Sequence, residues 1–227
     1  MNYIIGTATS DLAVRYHGPK TRPPKRLRAW SEVFIQWHAV HRRYALLEGD
    51  DDIGWRWGER PSVSFLTAAI WAAGGAGLQE YKIDRKVEVA SQETKKGRAD
   101  LFASIAGGQY KFEAKHDYVR IDTKRTESTF TRKLAQADNA VRRIDEGYHW
   151  EGALGFFSLQ TKGLTRKQTA SKVREFRETD FNAVANDAFE HFFQVDLFPT
   201  WMSPKRIEQE TRRFPGMTFF LGLRESE

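Results

Sequence analysis

The stretch from Gly97 to Lys115, GRADLFASIAGGQYKFEAK, constrains the fold more than any other part of the chain. Gly107-Gly108 between alternating apolar residues is a hairpin signal, because both central positions of a type I′ turn need φ > 0. With those two glycines as the loop, Ala106 faces Gln109, Ile105 faces Tyr110, Ala103 faces Phe112 and Leu101 faces Ala114. The other face pairs Phe102 with Glu113 and Asp100 with Lys115. Alternate residues of a strand share a face, so Asp100, Glu113 and Lys115 are expected to project together. Diagonal neighbours on paired strands lie about 7–8 Å apart, a separation at which two carboxylates can converge on one divalent cation. The same charges also suit a solvated sheet face with Asp100 and Lys115 as a cross-strand ion pair.

Length and composition narrow the classes. The chain has 227 residues, enough for one domain with a substantial core and too few for two large ones. It contains no cysteine, which removes disulfides, thiolate zinc sites and a cysteine nucleophile together. A net charge of +6 and an isoelectric point near 9.5 point to a polyanionic partner, although 30 acidic residues accompany 36 basic ones. No run is long and apolar enough to span a membrane, and MNYIIGTATS lacks the regions of a signal peptide. The expectation is a soluble, cytoplasmic protein with no membrane partner.

Upstream of the hairpin, a short strand is expected at Tyr3–Ile5, followed by a basic arm at residues 15–28, RYHGPKTRPPKRLR. Its three prolines argue for an extended loop. Its six cations, Arg15, Lys20, Arg22, Lys25, Arg26 and Arg28, suit the nucleic-acid backbone as well as they suit a solvated loop. Trp30, Val33, Phe34, Trp37, Val40, His41, Tyr44 and Leu47 then keep helical spacing, which predicts an amphipathic helix over 30–48. His38 and His41 read as packed or surface histidines rather than metal ligands. Glu48 and Asp50–Asp52 read as a solvated acidic turn, lacking the spaced oxygens of a calcium loop.

Pro61 suits the first turn of a buried helix over 61–79, which Gly74, Gly75 and Gly77 should bring to a stop. A strand at 81–90, a polar turn and the hairpin follow. Phe130, Leu134, Ala137, Val141 and Ile144 then define a second helix within 126–147, and Ala153–Leu159 reads as a buried strand. A short helix is expected within 162–180, strands within Asp187–Pro199 and Met217–Leu223, and loops around Pro199, Pro204 and Pro215.

Gly97-Arg98-Ala99-Asp100-Leu101, a short gap and Phe112-Glu113-Ala114-Lys115 resemble the signature of the PD-(D/E)xK, or restriction-endonuclease-like, nuclease superfamily. Ala99 stands where that signature has proline. The resemblance covers about residues 59–160, and implies an α/β fold with an αβββαβ core: a central mixed sheet flanked by helices. Residues 1–58 would add the arm and aromatic helix and residues 161–227 a C-terminal elaboration, all within a single domain, 1–227. It further implies a Mg²⁺-dependent phosphodiesterase in which Mn²⁺ can substitute. Asp100 and Glu113 would be the metal ligands, with the backbone carbonyl of Ala114 completing the set. Lys115 would orient or activate the attacking water. Glu59, with Glu80 as its alternative, would be the extra acid from the first core helix. His116 falls on the opposite face and is expected to be structural.

The function expected is therefore a DNA endonuclease, in genome defence or mobile-element processing. Arg22, Lys25, Arg26, Arg28 and Arg98 would contact the nucleic acid, and a homodimer would suit a site-specific cut. A ribonuclease, a nucleic-acid-binding module that no longer cuts, and an assembly protein with a salt-bridged surface are the alternatives.

Overall fold

In the computed structural model, which describes residues 3–4, 11–48, 52–145, 150–179, 181–185, 188–199, 208–209 and 212–226, the strands join one mixed sheet. They are β1 (Tyr3–Ile4), β2 (Leu12–His17), β3 (Ala76–Lys86), β4 (Thr94–Ile105), β5 (Gly108–Arg120), β6 (Trp150–Lys162), β7 (His191–Leu197), β8 (Glu208–Gln209) and β9 (Arg212–Glu225). The helices are α1 (Ala29–Leu47), α2 (Glu59–Ala72), α3 (Thr126–Val141), α4 (Arg166–Glu178) and a short α5 (Asn182–Ala185). Across the sheet the order is β1-β2-β7-β9-β6-β5-β4-β3, with β8 on β9. Among the described pairs β5 and β6 alone run parallel. A parallel pair needs a crossover, and α3 supplies it. The succession over the middle of the chain is α2-β3-β4-β5-α3-β6.

Helices cover both faces, as the apolar spacing requires. On one face Trp30, Val33, Phe34 and Trp37 of α1 and Val63, Leu66 and Ile70 of α2 bury against Leu101, Ala103, Phe112 and Ala114 of the hairpin. Trp30 meets Tyr110 and Phe112 edge-on, with centroids 5.4 and 5.6 Å away. On the other face Phe130, Leu134 and Ala137 of α3 pack on Ala153, Phe157, Leu159 and Phe220. Phe130 is ringed by Phe157, Phe176, Phe181 and Phe220. Truncating such a side chain to alanine costs about 3–5 kcal/mol.

Several boundaries differ from expectation. The helix predicted over 61–79 ends at Ala72, because Gly74 adopts φ 81° and turns the chain into β3 at Ala76. That strand therefore begins five residues before the expected Tyr81. The apolar stripe of α1 ends at Ala45, and Leu47 is 75 % exposed rather than packed. His41 is buried as expected, stacked on Phe65 at 4.2 Å, and burial lowers its pKa to about 3. The expected basic arm begins as β2. There Arg15 is an internal residue, donating to the buried Asp196 at 2.6 Å and to the carbonyl of Arg177.

Asp52 is a brace rather than a solvated turn residue. It accepts hydrogen bonds from the Tyr44 hydroxyl, the Ile53 N–H and the Trp57 indole. Ile5, Asp50, Asp51, residues 146–147, Asp187 and Pro204, which figure in the expected elements, lie outside the described residues. Residues 161–227 contribute more than an outer layer, since β9 lies between β6 and β7 near the middle of the sheet. Among the described residues no helix is long and apolar enough to cross a membrane.

Candidate active site

The β4–β5 ladder runs from Ile105 opposite Gly108 to Leu101 opposite Phe112. Its two loop residues are thus Ala106 and Gly107, with φ 49° and 80°, and not the expected pair of glycines. Gly108 is needed bare within the strand. A Cβ there would lie 2.7 Å from the Tyr110 hydroxyl and 2.9 Å from its ring. That ring is held by stacking on Phe112 and Trp150. Ala106 accordingly takes the left-handed conformation, at a cost of about 1 kcal/mol. The register slips by two residues from the expected one. A slip of one would exchange the faces, whereas a slip of two preserves them. The expected pairing of Asp100 with Lys115 is replaced, and counting along the ladder sets Asp100 against Glu113.

Beyond Leu101 the strands part: β4 continues beside β3, and β5 beside β6. Asp100 occupies the resulting notch. Its Oδ2 accepts the backbone N–H of Ala114 at 2.7 Å, giving a partner to a donor that the departing strand leaves behind. Strand alternation shifts at this point as well. Ala99 packs with Ile83, Val141 and Ile144 at the α3 side, whereas Leu101 packs on the α1–α2 side. Opposite, Glu80 has φ 48°. Asp100 therefore does not share a simple face with Glu113 and Lys115, as strict alternation predicted, yet the three still converge.

Three carboxylates and two cations meet here. Glu113 is 4 % exposed and ion-paired with Arg85 of β3, which also donates to the carbonyls of Arg98 and Ala140. Lys115 lies 3.5 Å from Glu59 and donates to the carbonyl of Ala114. Burial, reinforced by the negative charge of Asp100, pushes the Glu113 carboxyl up to about 8 against the pull of Arg85 and Lys115. Burial likewise raises Glu59, partly offset by Lys115. Glu59 is the first residue of α2, where the helix dipole favours an acid. Glu80, the alternative acid, is neutralised by Arg60 and Arg98, each 3.0 Å away. Glu59, Glu80, Arg60, Arg98 and Asp100 line a cavity of about 220 Å³ that opens on the notch.

Asp100, Glu113 and the Ala114 carbonyl are hard oxygen donors of the kind that hold magnesium or manganese. With Glu59 they bring three carboxyl groups against Arg85 and Lys115, an imbalance relieved by the proton that Glu113 keeps up to about 8 and that such an ion would displace. Arg85 holds the Glu113 carboxylate and Lys115 holds the Ala114 carbonyl, so both cations would have to yield those atoms. Among the described residues no group of three or more Asp, Glu or His side chains stands together as a ready metal cluster.

The other predicted contacts divide. Arg98 borders the notch. Arg26 stacks on Trp150 at 4.5 Å and pairs with Glu225. Trp150 is the ladder partner of Tyr110, so Arg26 sits roughly 10 Å or more from Glu113 along β5. Arg22 and Lys25 are exposed, and Arg28 donates to the Pro23 carbonyl at 3.3 Å. His116 bonds Ser158 at 2.9 Å, and burial lowers its pKa to about 4, in keeping with a structural role. Sequence reasoning missed Arg85. Its only signal was a basic residue inside a strand, and its reach across two strands to Glu113 depends on the register. Comparison with known protein families, with curated proteins and with solved structures found no match to this chain.

Proposed function

We propose that the chain is a metal-dependent nuclease of restriction-endonuclease-like architecture that hydrolyses internal phosphodiester bonds of DNA. The observation that carries this reading is the convergence of Asp100, Glu113, Glu59 and Lys115 on the notch between β4 and β5. The α2-β3-β4-β5-α3-β6 succession around it also supports the reading. Magnesium, when bound, would supply a water of lowered pKa and screen the phosphate charge. Asp100, Glu113 and the Ala114 carbonyl would hold the ion. Lys115 would position the attacking water or the scissile phosphate through Nζ. Glu59, 3.5 Å away, orients that ammonium. Arg98 and Arg60, beside the same cavity, would hold flanking phosphates.

The test is cleavage of supercoiled plasmid, linear duplex, and single-stranded DNA and RNA by purified protein with Mg²⁺, Mn²⁺ or EDTA. Wild type should cut DNA only with metal, and Asp100→Ala and Lys115→Ala should not. DNA bound equally by wild type and variants but never cut would overturn the reading in favour of a binding module. Cutting confined to RNA would make the enzyme a ribonuclease.

A further inference from the structure

Trp57 lies two residues before Glu59 and is 53 % exposed, yet it is fixed in place. Its indole N–H donates to both oxygens of Asp52 at 2.6 Å. The guanidinium of Arg56 lies over its ring, 5.0 Å from the centroid. Asp52 is itself anchored by the Ile53 N–H at 2.7 Å and by the Tyr44 hydroxyl. On the other side of this turn the hydroxyl of Tyr118 donates to the Arg56 carbonyl. Tyr118 is 44 % exposed and follows Lys115 on β5 by three residues. The chain thus holds a large aromatic ring by its polar edge and by one cation, and leaves about half of its surface to water.

We propose that Trp57, braced by Asp52 and Arg56 and flanked by Tyr118, is a stacking platform for an unpaired nucleobase next to the scissile phosphate. The substrate is then single-stranded or locally unpaired DNA, an inference that rests on the nucleolytic reading above. Two residues span at most about 7 Å of backbone, so Trp57 and Glu59 leave the chain about one nucleotide spacing apart. The surroundings select the occupant. Arg56 lies over the ring, and Arg60, three residues further along the chain, has a side chain 83 % exposed. An apolar protein surface would have to desolvate these cations, whereas a nucleotide offers a π-face to the indole and a phosphate to the arginines. A closed duplex keeps its bases stacked inside and offers the ring nothing.

Binding can be measured in EDTA, where nothing is cut, by the anisotropy of a short fluorescein-labelled DNA strand, the same strand made abasic, and the matching duplex. Wild type should prefer the base-bearing single strand. Trp57→Ala should weaken that binding roughly tenfold or more while leaving the abasic strand unchanged. Trp57→Phe should retain part of it. Trp71→Ala is the control: this tryptophan is 57 % exposed but lies near the far end of α2, about 20 Å away, and its loss should change nothing. Single-strand binding indifferent to Trp57→Ala would overturn the platform while leaving the nuclease reading intact. Preference for duplex would do the same. Failure to bind any nucleic acid would overturn both.

Discussion

Two charged clusters lie two residues apart on β5, and they are built in opposite ways. Around Lys111 each charge is answered. Lys111 meets Glu151 at 2.9 Å and the Ile144 carbonyl at 3.3 Å, Arg224 meets Glu151 at 3.1 Å as well as Asp138, and Arg142 meets Asp138 at 2.9 Å. Around Glu113 three carboxylates face two cations, and one carboxyl is driven up to about 8. The fully paired cluster, three cations on two carboxylates, borders the larger cavity, about 640 Å³, and the acidic one only about 220 Å³. Cavity size therefore points away from the proposed site. A buried carboxyl held back from ionising is the better guide, because an ion or a substrate can take the place of the proton it retains.

The contrast can be broken experimentally. The largest effect belongs to the acidic cluster: Asp100→Ala should lower metal-dependent cleavage by on the order of 10³-fold, with a smaller cost to stability, about 1–2 kcal/mol, from the Ala114 N–H it leaves unpaired. A variant that cuts at a tenth of the wild-type rate would remove Asp100 from the centre of the site. In the fully paired cluster the loss should fall on stability. Glu151→Gln removes the carboxylate charge that Lys111 and Arg224 share and should cost about 3 kcal/mol in urea unfolding, with cleavage by the folded protein retained.

The third expectation sharpens the electrostatic side. Glu113 titrates near 8 when folded and near 4.5 when unfolded, so between those values the folded chain holds the extra proton. Its contribution to stability is then lost as pH rises from about 4.5 to 8 and stays lost above. In EDTA, Glu113→Gln should gain on wild type by roughly 1–3 kcal/mol between pH 5 and 8.5, and parallel curves for the two proteins would sink this account. The smallest effect is expected at the rim. Arg26→Ala removes an exposed pair with Glu225 and should shift stability by less than about 1 kcal/mol. A larger loss would mean that stacking on Trp150 matters more than the pair.

Local pattern carried much of this architecture into view. Helical spacing located α1 and the buried face of α3, where Phe130, Leu134, Ala137 and Val141 are enclosed, while Ile144, counted with them, is buried past the helix end in a bridge to Arg85. The hairpin and its acid–acid–lysine set could be read from alternation and a glycine pair. The register could not, because Gly108 makes room for the Tyr110 ring and Ala106 accepts a conformation that sequence rules assign to glycine. Arg85, Asp52 and the shift of alternation at Asp100 were equally hidden, since each depends on which strand comes to lie beside which. Arg15 illustrates the same limit. Counted as one more cation of a loose arm, it instead neutralises Asp196 from 181 residues away.

The position of β9 has a consequence in time. A ribosome delivers the chain from its N-terminus, so β3, β4, β5 and β6 have all been made once Lys162 is added, and they can pair around the notch. β6 waits for β9, and β2 waits for β7. At roughly 5–20 residues per second the interval up to Glu225 is on the order of several seconds. Throughout it β6, whose residues from Gly152 to Thr161 end up fully enclosed, presents an open edge to every other nascent chain nearby. The hazard of this architecture is thus one of birth order, greatest when synthesis is fast and polysomes are crowded, and it ends when the last strand slides between its two neighbours.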